Sequence, residues 1–331
     1  MVSAETLGAP ESGAIGRIWA TGIATGAPLS VARSQVCSMR RALAFVIAMV
    51  ELPQMAAGAT KGGAEEDTFW YDWLACGMGK KPSAHFACTD AVREDFRGRM
   101  AARREIEENK CSLARGGRSS NSSRSSSRLR ILDVGAGPLS TLGTDCVGQP
   151  IELFPVDLLA PQYDATLMKL HLQPRVRTLY APMEALASHF ARSFFDLVHC
   201  TNALDHAQDP VRAVEQMVSI VKPRHAVKVI SWINESQMEN GYGMHQWDMF
   251  ADAQGHFMIA ARGGQRVTDV TRAMSGTARV EVKLKAKVWH SHTISLQECA
   301  ATWRSRACVM EVLLTKLSHG HGGKERGEHT G

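Results

Sequence analysis

The sequence predicts an α/β domain built on a mostly parallel sheet, and three observations lead to this prediction. Short apolar runs alternate with helical stretches from residue 129 onward, as a parallel sheet requires. The first apolar run, 129–134, leads directly into the turn Gly135-Ala136-Gly137. Near the C-terminus, apolar and charged residues alternate over 280–288, which is typical of a strand with one solvent-exposed face.

The strands follow from these patterns in chain order. Five are predicted before the C-terminal region: near 129–134, 151–156, 176–180, 194–200 and 226–232. Apolar residues at 214, 217, 218 and 221 lie on one face of a helix, which precedes the fifth strand. Two further strands are predicted over 280–288 and 309–317.

Residues 1–60 differ in composition from the rest of the chain. They are rich in glycine, alanine and serine, carry no acidic residue between Glu11 and Glu51, and include the apolar run 42–50 after Arg40-Arg41. This composition predicts a poorly ordered or targeting segment, or an amphipathic helix packed on the main domain. The localisation therefore stays open between the cytoplasm and an organellar or secretory destination.

The remaining chain divides into four parts. Residues 61–111 have a helical pattern, and at least two of Trp70, Tyr71 and Trp73 are expected to anchor the helix on the core. Residues 112–128 are a Ser/Arg-rich linker with too few apolar groups to offset the entropy of ordering it. Residues 129–318 form the α/β domain, and 319–331 a disordered tail.

Composition narrows the class of partner. The net charge of +5 comes without a basic stripe interleaved with aromatic residues, so no nucleic-acid partner is predicted. No apolar run is long enough to cross a bilayer as a helix, so no stable membrane span is predicted. The oligomeric state is not predicted.

Cysteine and histidine spacing predicts no metal site. The eight cysteines are scattered and none forms C-x-x-C, so reduced thiols are expected rather than a zinc site or a redox motif. The histidines at 319, 321 and 329 belong to the predicted tail.

A nucleoside site is predicted at the ends of the first two strands. Gly135 and Gly137 allow a tight turn and a close approach to a ligand, and Asp157 ends the second strand where a carboxylate can accept ribose hydroxyls. A dinucleotide site would have glycine in place of Ser140. Asp133 would repel a pyrophosphate but suits an ammonium or sulfonium group. The pattern therefore favours S-adenosylmethionine over NAD.

Six motifs occur in sequence: Asp133-Val134-Gly135-Ala136-Gly137-Pro138, Val156-Asp157, Met183-Glu184, Phe195-Asp196-Leu197-Val198-His199, Asn202-Ala203-Leu204-Asp205-His206 and Val221-Lys222-Pro223. Through them the chain resembles the class I S-adenosylmethionine-dependent methyltransferases of the small-molecule, type 11-like branch. The resemblance covers 129–223 and continues more faintly to residue 317. The family has two glycines after the proline, whereas Arg224-His225 follow here, which leaves the turn before the fifth strand open.

The resemblance implies a Rossmann-like, seven-stranded, mostly parallel sheet with a C-terminal antiparallel pair, helices on both faces and an N-terminal helical cap. It also implies how the first two strand ends bind S-adenosylmethionine. The loop 135–137 passes beneath the methionine and ribose portion, and Asp133 organises the methionine ammonium directly or through water. Asp157 and the adjoining Leu158 hold the ribose.

The resemblance places four more residues on the cofactor side. Met183 stacks on adenine and Glu184 lies near its exocyclic amine, although a carboxylate at a helix start is a competing interpretation of Glu184. Asn202 and Ala203 leave the fourth strand at the sheet edge where such folds bind ligands.

Methyl transfer to an unidentified, small-molecule acceptor is an in-line displacement, so the protein mainly aligns the acceptor and excludes water. A base is needed only where the acceptor atom must lose a proton. His245 is the preferred base, with His206 and Asp205 as further catalytic candidates, although His206 could equally be structural. Tyr242 and Trp247 are predicted to contact the substrate.

Two other functions stay open from the residues alone. One is an NAD-dependent oxidoreductase on a similar fold, against which Ser140 and Asp133 argue. The other is a non-catalytic scaffold that keeps the cofactor fold, which the departure at Arg224-His225 allows.

Overall fold

The computed structural model describes residues 62–101, 105–116, 128–286 and 308–318. The predictions for 1–60, for most of the linker and for 319–331 concern residues outside these ranges. Within them, no helix is long and apolar enough to cross a membrane. The helices are α1 (Gly63–Gly77), α2 (Asp90–Met100), α3 (Glu108–Ala114), α4 (Ala160–Leu170), α5 (Leu186–His189), α6 (Pro210–Ile220), α7 (Glu235–Met238) and α8 (Val270–Ala273).

The strands are β1 (Arg130–Val134), β2 (Asp145–Cys146), β3 (Gln149–Pro150), β4 (Glu152–Asp157), β5 (Leu179–Tyr180), β6 (Phe195–Thr201), β7 (Val221–Trp232), β8 (Trp247–Ala251), β9 (Phe257–Ala261), β10 (Val267–Asp269), β11 (Ala278–Ala286) and β12 (Cys308–Lys316). Seven of them form one sheet in the order β11-β12-β7-β6-β1-β4-β5. Strands β7, β6, β1, β4 and β5 are parallel, and β12 is antiparallel to both β7 and β11. The predicted mostly parallel sheet with its C-terminal antiparallel pair is confirmed.

Alternate residues of the central strands face opposite sides of the sheet. Ile131 packs in an apolar cluster with residues of α3, whereas Leu132 packs in another with residues of α6. Helices therefore cover both faces, as predicted. Because strands buried on both faces need apolar residues at every position, β1 and β6 were visible in the sequence as continuous apolar runs.

Helix α6 begins four residues earlier than the apolar periodicity predicted. The side chain of Asp209 accepts a hydrogen bond from the backbone N–H of Arg212 at 3.1 Å, and Pro210 occupies the first helical position. Both features stabilise a helix start. Val214 and Met217 on its inner face are fully buried.

Strand β7 is longer than predicted, since it begins at Val221 directly after α6. Its pairing with β6 is irregular between Phe195 and Leu197. Within this irregularity the exposed Arg224 has a φ of 64°, in the left-handed region that glycine adopts at little cost. The turn before the fifth predicted strand therefore has a backbone conformation that suits a glycine, although the residue there is Arg224.

A second, three-stranded antiparallel sheet in the order β10-β9-β8 was not predicted. Strands β8 and β10 mix polar with apolar residues, and β9 is an apolar run of only five residues, so neither a long apolar run nor a clear alternation indicates this sheet. Met249 and Ile259 bury their side chains in the same apolar cluster as Leu132. This sheet therefore packs on the main core beside the end of β7.

The N-terminal helices α1 and α2 pack beside the loop that follows β1. Trp73 and Phe96 belong to an apolar cluster that also contains Leu139 from this loop and residues of α4. The helical character predicted for 61–111 is present over α1, α2 and α3. Helix α3 continues to Ala114, inside the stretch predicted as linker.

The expectation of reduced thiols is wrong for all described cysteines except Cys200. Disulfide bonds join Cys76 to Cys88 and Cys111 to Cys146, and Cys308 is also disulfide-bonded. The paired cysteines are 12 and 35 positions apart in the sequence, and such spacing does not show which of them meet in the fold.

Candidate active site

The loop after β1 is bound to the end of β4 by backbone hydrogen bonds. The amide nitrogens of Gly135 and Ala136 donate to the carbonyl of Val156 at 2.9 and 3.1 Å, and that of Gly137 donates to Oδ2 of Asp157 at 3.0 Å. Both glycines have positive φ values, 67° and 64°, which other residues adopt only with strain. The predicted tight turn is present, and it brings its backbone against the carboxylate of Asp157.

Asp157 lies at the carboxyl end of β4 and is partly buried. Its Oδ1 accepts the backbone N–H of Leu159 at 2.9 Å, so each carboxylate oxygen carries one backbone hydrogen bond and keeps acceptor capacity for a ligand. Burial raises the pKa of this carboxyl to about 6, despite the lowering effect of the two backbone hydrogen bonds. The adjoining Leu158 is also partly buried.

Asp133 is almost fully buried, with 2% of its surface exposed. Its Oδ1 lies 2.8 Å from Nδ1 of His199, and its Oδ2 accepts the hydroxyl of Ser140 at 2.5 Å. Nε2 of His199 lies 2.9 Å from the hydroxyl of Thr201. Asp133 thus links β1, β6 and the loop, and its role toward a methionine ammonium stays a prediction.

Met183 and Glu184 form a short 3₁₀ turn after β5. Met183 reaches toward the loop after β1, since its Cε lies 3.9 Å from where a Cβ on Gly135 would be. Oε1 of Glu184 accepts the backbone N–H groups of Gln208 and Asp209 at 2.7 and 3.3 Å, just before α6. This contact matches the competing interpretation of Glu184 as a carboxylate near a helix start. A contact with adenine stays a prediction for Glu184.

Asn202 and Ala203 follow β6 and lie next to the loop after β1. A Cβ on Gly135 would be 2.2 Å from the Cβ of Ala203, so only glycine fits there. Nδ2 of Asn202 donates to Oε1 of Glu235 at 3.5 Å. Its Oδ1 is buried and has no hydrogen-bond partner among the described residues. A buried acceptor without a donor is costly unless a ligand supplies one.

Asp205 and His206 follow β6, His245 lies just before β8, and the three come together although His245 is 40 positions from Asp205 in the chain. Nδ1 of His245 lies 2.6 Å from Oδ2 of Asp205 and 3.2 Å from Nε2 of His206. Nε2 of His206 lies 3.5 Å from the same carboxylate oxygen. We call these three residues the acceptor-side cluster.

Within this cluster, the carboxylate and the imidazole of His245 shift each other's pKa in opposite directions. Burial raises the pKa of Asp205, but the charge of His206 and the hydrogen bond from His245 bring it below the usual value. Burial lowers the pKa of His245, but the hydrogen bond and the charge of Asp205 bring it above the usual value.

The two predicted substrate residues are not part of this cluster. Trp247 packs in the main apolar cluster, with 8% of its surface exposed, and its indole N–H donates to the carbonyl of Ala207 at 2.7 Å. Its observed contacts are with the core and with the backbone, and a substrate contact by Trp247 stays a prediction. Tyr242 is 67% exposed on the surface, so a substrate contact by this residue stays a prediction.

Three side chains near the cofactor side were not predicted as site residues. The ring of Trp70 from α1 lies so close to Gly137 that a Cβ there would be 2.7 Å from it. Arg99 from α2 lies over the rings of Trp70 and Trp73 and donates to the carbonyl of Leu139 at 3.0 Å. Tyr163 from α4 stacks edge-on against Trp70. Only the aromatic density of 69–73 signalled this contact in the sequence.

Residues 132–227 match a protein-family model described as a methyltransferase domain. They include the loop after β1, Asp157, Asn202 and two members of the acceptor-side cluster. This part of the chain therefore has the sequence of a methyltransferase domain, in agreement with the resemblance to class I S-adenosylmethionine-dependent methyltransferases. The match favours S-adenosylmethionine over NAD as its cofactor.

Two curated relatives are similar to part of this chain. They are the ubiquinone biosynthesis O-methyltransferases of Psychrobacter cryohalolentis and Psychrobacter arcticus, each 33% identical over 113 residues. The alignment covers 32% of this chain and 42% of each relative, so the chain spans less than half the length of these relatives.

Solved structures with a low sequence identity to this chain were also found. A chain from the complex of the Haloferax volcanii Trm112 methyltransferase activator with a methyltransferase is 15% identical, covers 75% of this chain and 96% of its own length, and has a TM-score of 0.39. The YcgJ protein of Bacillus subtilis is 11% identical, covers 58% of this chain and 93% of its own length, and has a TM-score of 0.36.

The residues at the cofactor side of the methyltransferase domain fit S-adenosylmethionine. The carboxylate of Asp157 is held by two backbone amides and keeps acceptor capacity for two ribose hydroxyls. The unpartnered Oδ1 of Asn202 requires a donor, and an ammonium group supplies one.

Proposed function

We propose that the protein transfers the methyl group of S-adenosylmethionine to a hydroxyl oxygen of a small-molecule acceptor. The observation that supports an oxygen acceptor is the acceptor-side cluster, which places two imidazoles and a carboxylate at the ends of the strands next to the cofactor loop. The similarity to O-methyltransferases of ubiquinone biosynthesis also supports oxygen.

Asp157 and Asn202 would hold the cofactor from opposite ends. Asp157 would accept the ribose hydroxyls, with its orientation set by the backbone of Gly137 and Leu159. Oδ1 of Asn202 would accept a hydrogen bond from the methionine ammonium group. The ring of Trp70 lies against Gly137 and would help to fix the loop beneath the cofactor.

The acceptor-side cluster would assist the loss of the hydroxyl proton. When bound, S-adenosylmethionine would supply a methyl group carried on its sulfonium sulfur. The acceptor oxygen would form a bond to the methyl carbon, and the sulfur would keep the electron pair of the broken carbon–sulfur bond. A neutral hydroxyl is a weak nucleophile, so its proton must leave as the new carbon–oxygen bond forms. Asp205 is fully buried and bound to Nδ1 of His245, which fixes the orientation of that imidazole.

The experiment is a turnover screen of the full chain with methyl-labelled S-adenosylmethionine and separate panels of small phenols, alcohols, carboxylic acids and amines. We expect labelled product and S-adenosylhomocysteine with a phenol or an alcohol, and a loss of at least about a hundredfold in kcat for His245→Gln. His256→Gln is the matched control, because His256 is paired with Asp269 away from the cluster.

Two outcomes would contradict the proposal. Product formed only with amines would overturn the oxygen acceptor. Tight binding of S-adenosylhomocysteine without turnover of any panel would favour the scaffold function.

A further inference from the structure

The acceptor-side cluster brings three electron-pair donors to one point. Nδ1 of His245 lies 2.6 Å from Oδ2 of Asp205 and 3.2 Å from Nε2 of His206. Nε2 of His206 lies 3.5 Å from the same oxygen of Asp205. Asp205 is fully buried, and its Oδ1 has no hydrogen-bond partner among the described residues. Within the described part of the chain, these three residues form the group of histidine, cysteine and acidic side chains whose ligand atoms all lie close enough together to share a metal ion.

Protons alone satisfy this arrangement poorly. The Nδ1–H of His245 can donate to Asp205, but Nε2 of His206 then faces the same N–H and the same carboxylate oxygen from 3.2 and 3.5 Å. If both imidazoles are protonated, two cations lie side by side with ring centroids 4.6 Å apart. If His206 is neutral and protonated on Nδ1, the lone pair of its Nε2 must share the single N–H of His245 that already donates to Asp205.

A second histidine–carboxylate pair shows what the cluster has in addition. Nδ1 of His256 lies 2.9 Å from Oδ2 of Asp269, with the imidazole 41% exposed and no second imidazole in the pair. There a single proton accounts for the geometry. In the cluster, the imidazoles are 14% and 18% exposed and the carboxylate is shielded completely.

We propose that Asp205, His206 and His245 bind a divalent first-row transition metal ion, of the class to which Zn²⁺ and Co²⁺ belong. Imidazole and carboxylate together suit these ions. An ion about 2.1 Å from each of three donors holds them about 3.0 to 3.4 Å apart, depending on tetrahedral or octahedral geometry. The two separations that involve His206 agree with this, and the shorter separation is that of the pair whose shared proton the ion replaces.

Glu235 lies at the border of this site. Its Oε1 is 3.9 Å from Nδ1 of His245 and 3.5 Å from Nδ2 of Asn202. It therefore connects the cluster to the cofactor side. A bound ion would act as a Lewis acid on the acceptor oxygen, and this catalytic role rests on the proposed function, whereas the binding itself rests on the geometry of the three ligands.

The test is a direct measurement of metal binding by the full chain, freed of metal by chelation and desalting. Co²⁺ is titrated while its visible d–d absorption is recorded, and Zn²⁺ is titrated by calorimetry. Wild type is compared with His206→Gln, His245→Gln and the control His256→Gln. Apart from the one substituted position, the histidines are the same in all four proteins, so the site is reported by the difference between the cluster variants and the other two proteins.

We expect wild type and His256→Gln to bind one equivalent more of each ion than the two cluster variants, with the tetrahedral or five-coordinate Co²⁺ band lost in those variants. Equal stoichiometry in all four proteins would overturn the proposal. Calorimetry with S-adenosylhomocysteine shows that each variant is folded. Should one cluster variant fail this check, the other decides.

The metal site and the proposed function fail separately. Turnover that is unchanged in the metal-free protein, with no site-specific Co²⁺ band, would refute the metal and leave His245 as a direct base. A site-specific Co²⁺ band without turnover on any hydroxyl panel would keep the site and refute the oxygen acceptor.

Discussion

Asp157 shows how a single carboxylate can couple loop geometry and ligand binding. It takes one backbone hydrogen bond on each oxygen, from the loop after β1 and from Leu159. These bonds fix the carboxylate before a ligand arrives, so less ordering is needed on binding. Burial of such an anion has a cost, which appears as its raised pKa.

This raised pKa predicts a pH dependence of cofactor binding. Burial is the main cause, the charge of Glu66 adds to it, and the charge of His206 opposes it. Because a protonated carboxyl loses acceptor capacity, we expect the affinity for S-adenosylhomocysteine to be constant above pH 7 and to fall about tenfold per pH unit below the pKa. Calorimetry between pH 5 and 8 measures this, and an unchanged affinity at pH 5 would contradict it.

The backbone conformation of Arg224 indicates that a substitution at this position would stabilise the fold. It is exposed and has a left-handed φ of 64°, which costs an arginine more than a glycine. We expect Arg224→Gly to raise the free energy of unfolding by about 0.5 to 1 kcal/mol, measured by urea denaturation. Arg224→Ala is the control and should bring no gain, so equal stabilisation by both substitutions would refute the backbone explanation.

At the scale of elements, strand positions were predictable and side-chain partners were not. The strands β1, β4 and β6 are buried apolar runs, and their predicted ends lie within a residue or so of the observed ones. The sequence also placed His206 and His245 at the correct sheet edge. It could not show that they meet, because a contact across 39 positions depends on how the chain folds between them.

Trp247 shows, at the same scale, a place in the core that the sequence pattern did not reveal. A polar and aromatic segment after the fifth strand looked like a substrate loop, but Trp247 starts β8 and anchors that strand in the core. Aromatic residues serve cores more often than ligands, and the second sheet that requires this anchor was itself not visible in the sequence.

We predict that Trp70 of helix α1 supports the loop after β1. Its indole N–H donates to Glu66 at 2.8 Å, and its ring lies against Gly137. We expect Trp70→Ala to weaken binding of S-adenosylhomocysteine about tenfold, because the loop loses the surface that fixes it. Phe69→Ala is the control, since Phe69 is 46% exposed. Wild-type affinity in Trp70→Ala would show that α1 does not support the site.

At the scale of the whole molecule, the disulfides indicate the redox environment in which the protein folds. The bond between Cys111 and Cys146 ties α3 to β2, and that between Cys76 and Cys88 ties the end of α1 to the segment before α2. Such bonds persist in oxidising environments and are rare where thiols are kept reduced. We therefore expect the protein to mature in an oxidising compartment.

Peptide mapping under non-reducing conditions tests this expectation. We expect cross-linked peptides for both pairs, and alkylation of Cys200 only after unfolding, because this thiol is buried. Reduction should destabilise the fold by about 2 to 4 kcal/mol for each bond. Complete alkylation of Cys76 and Cys146 in the native, unreduced protein purified from its source would contradict the expectation.

The central claim is that the loop after β1 and Asp157 bind S-adenosylmethionine. The most direct measurement is calorimetric titration of the full chain with S-adenosylmethionine, S-adenosylhomocysteine and NAD, alongside Asp157→Ala and the surface control Asp164→Ala. We predict binding of the first two ligands by wild type and the control, loss of binding in Asp157→Ala, and no binding of NAD. Binding of NAD alone, or unchanged binding by Asp157→Ala, would contradict the account.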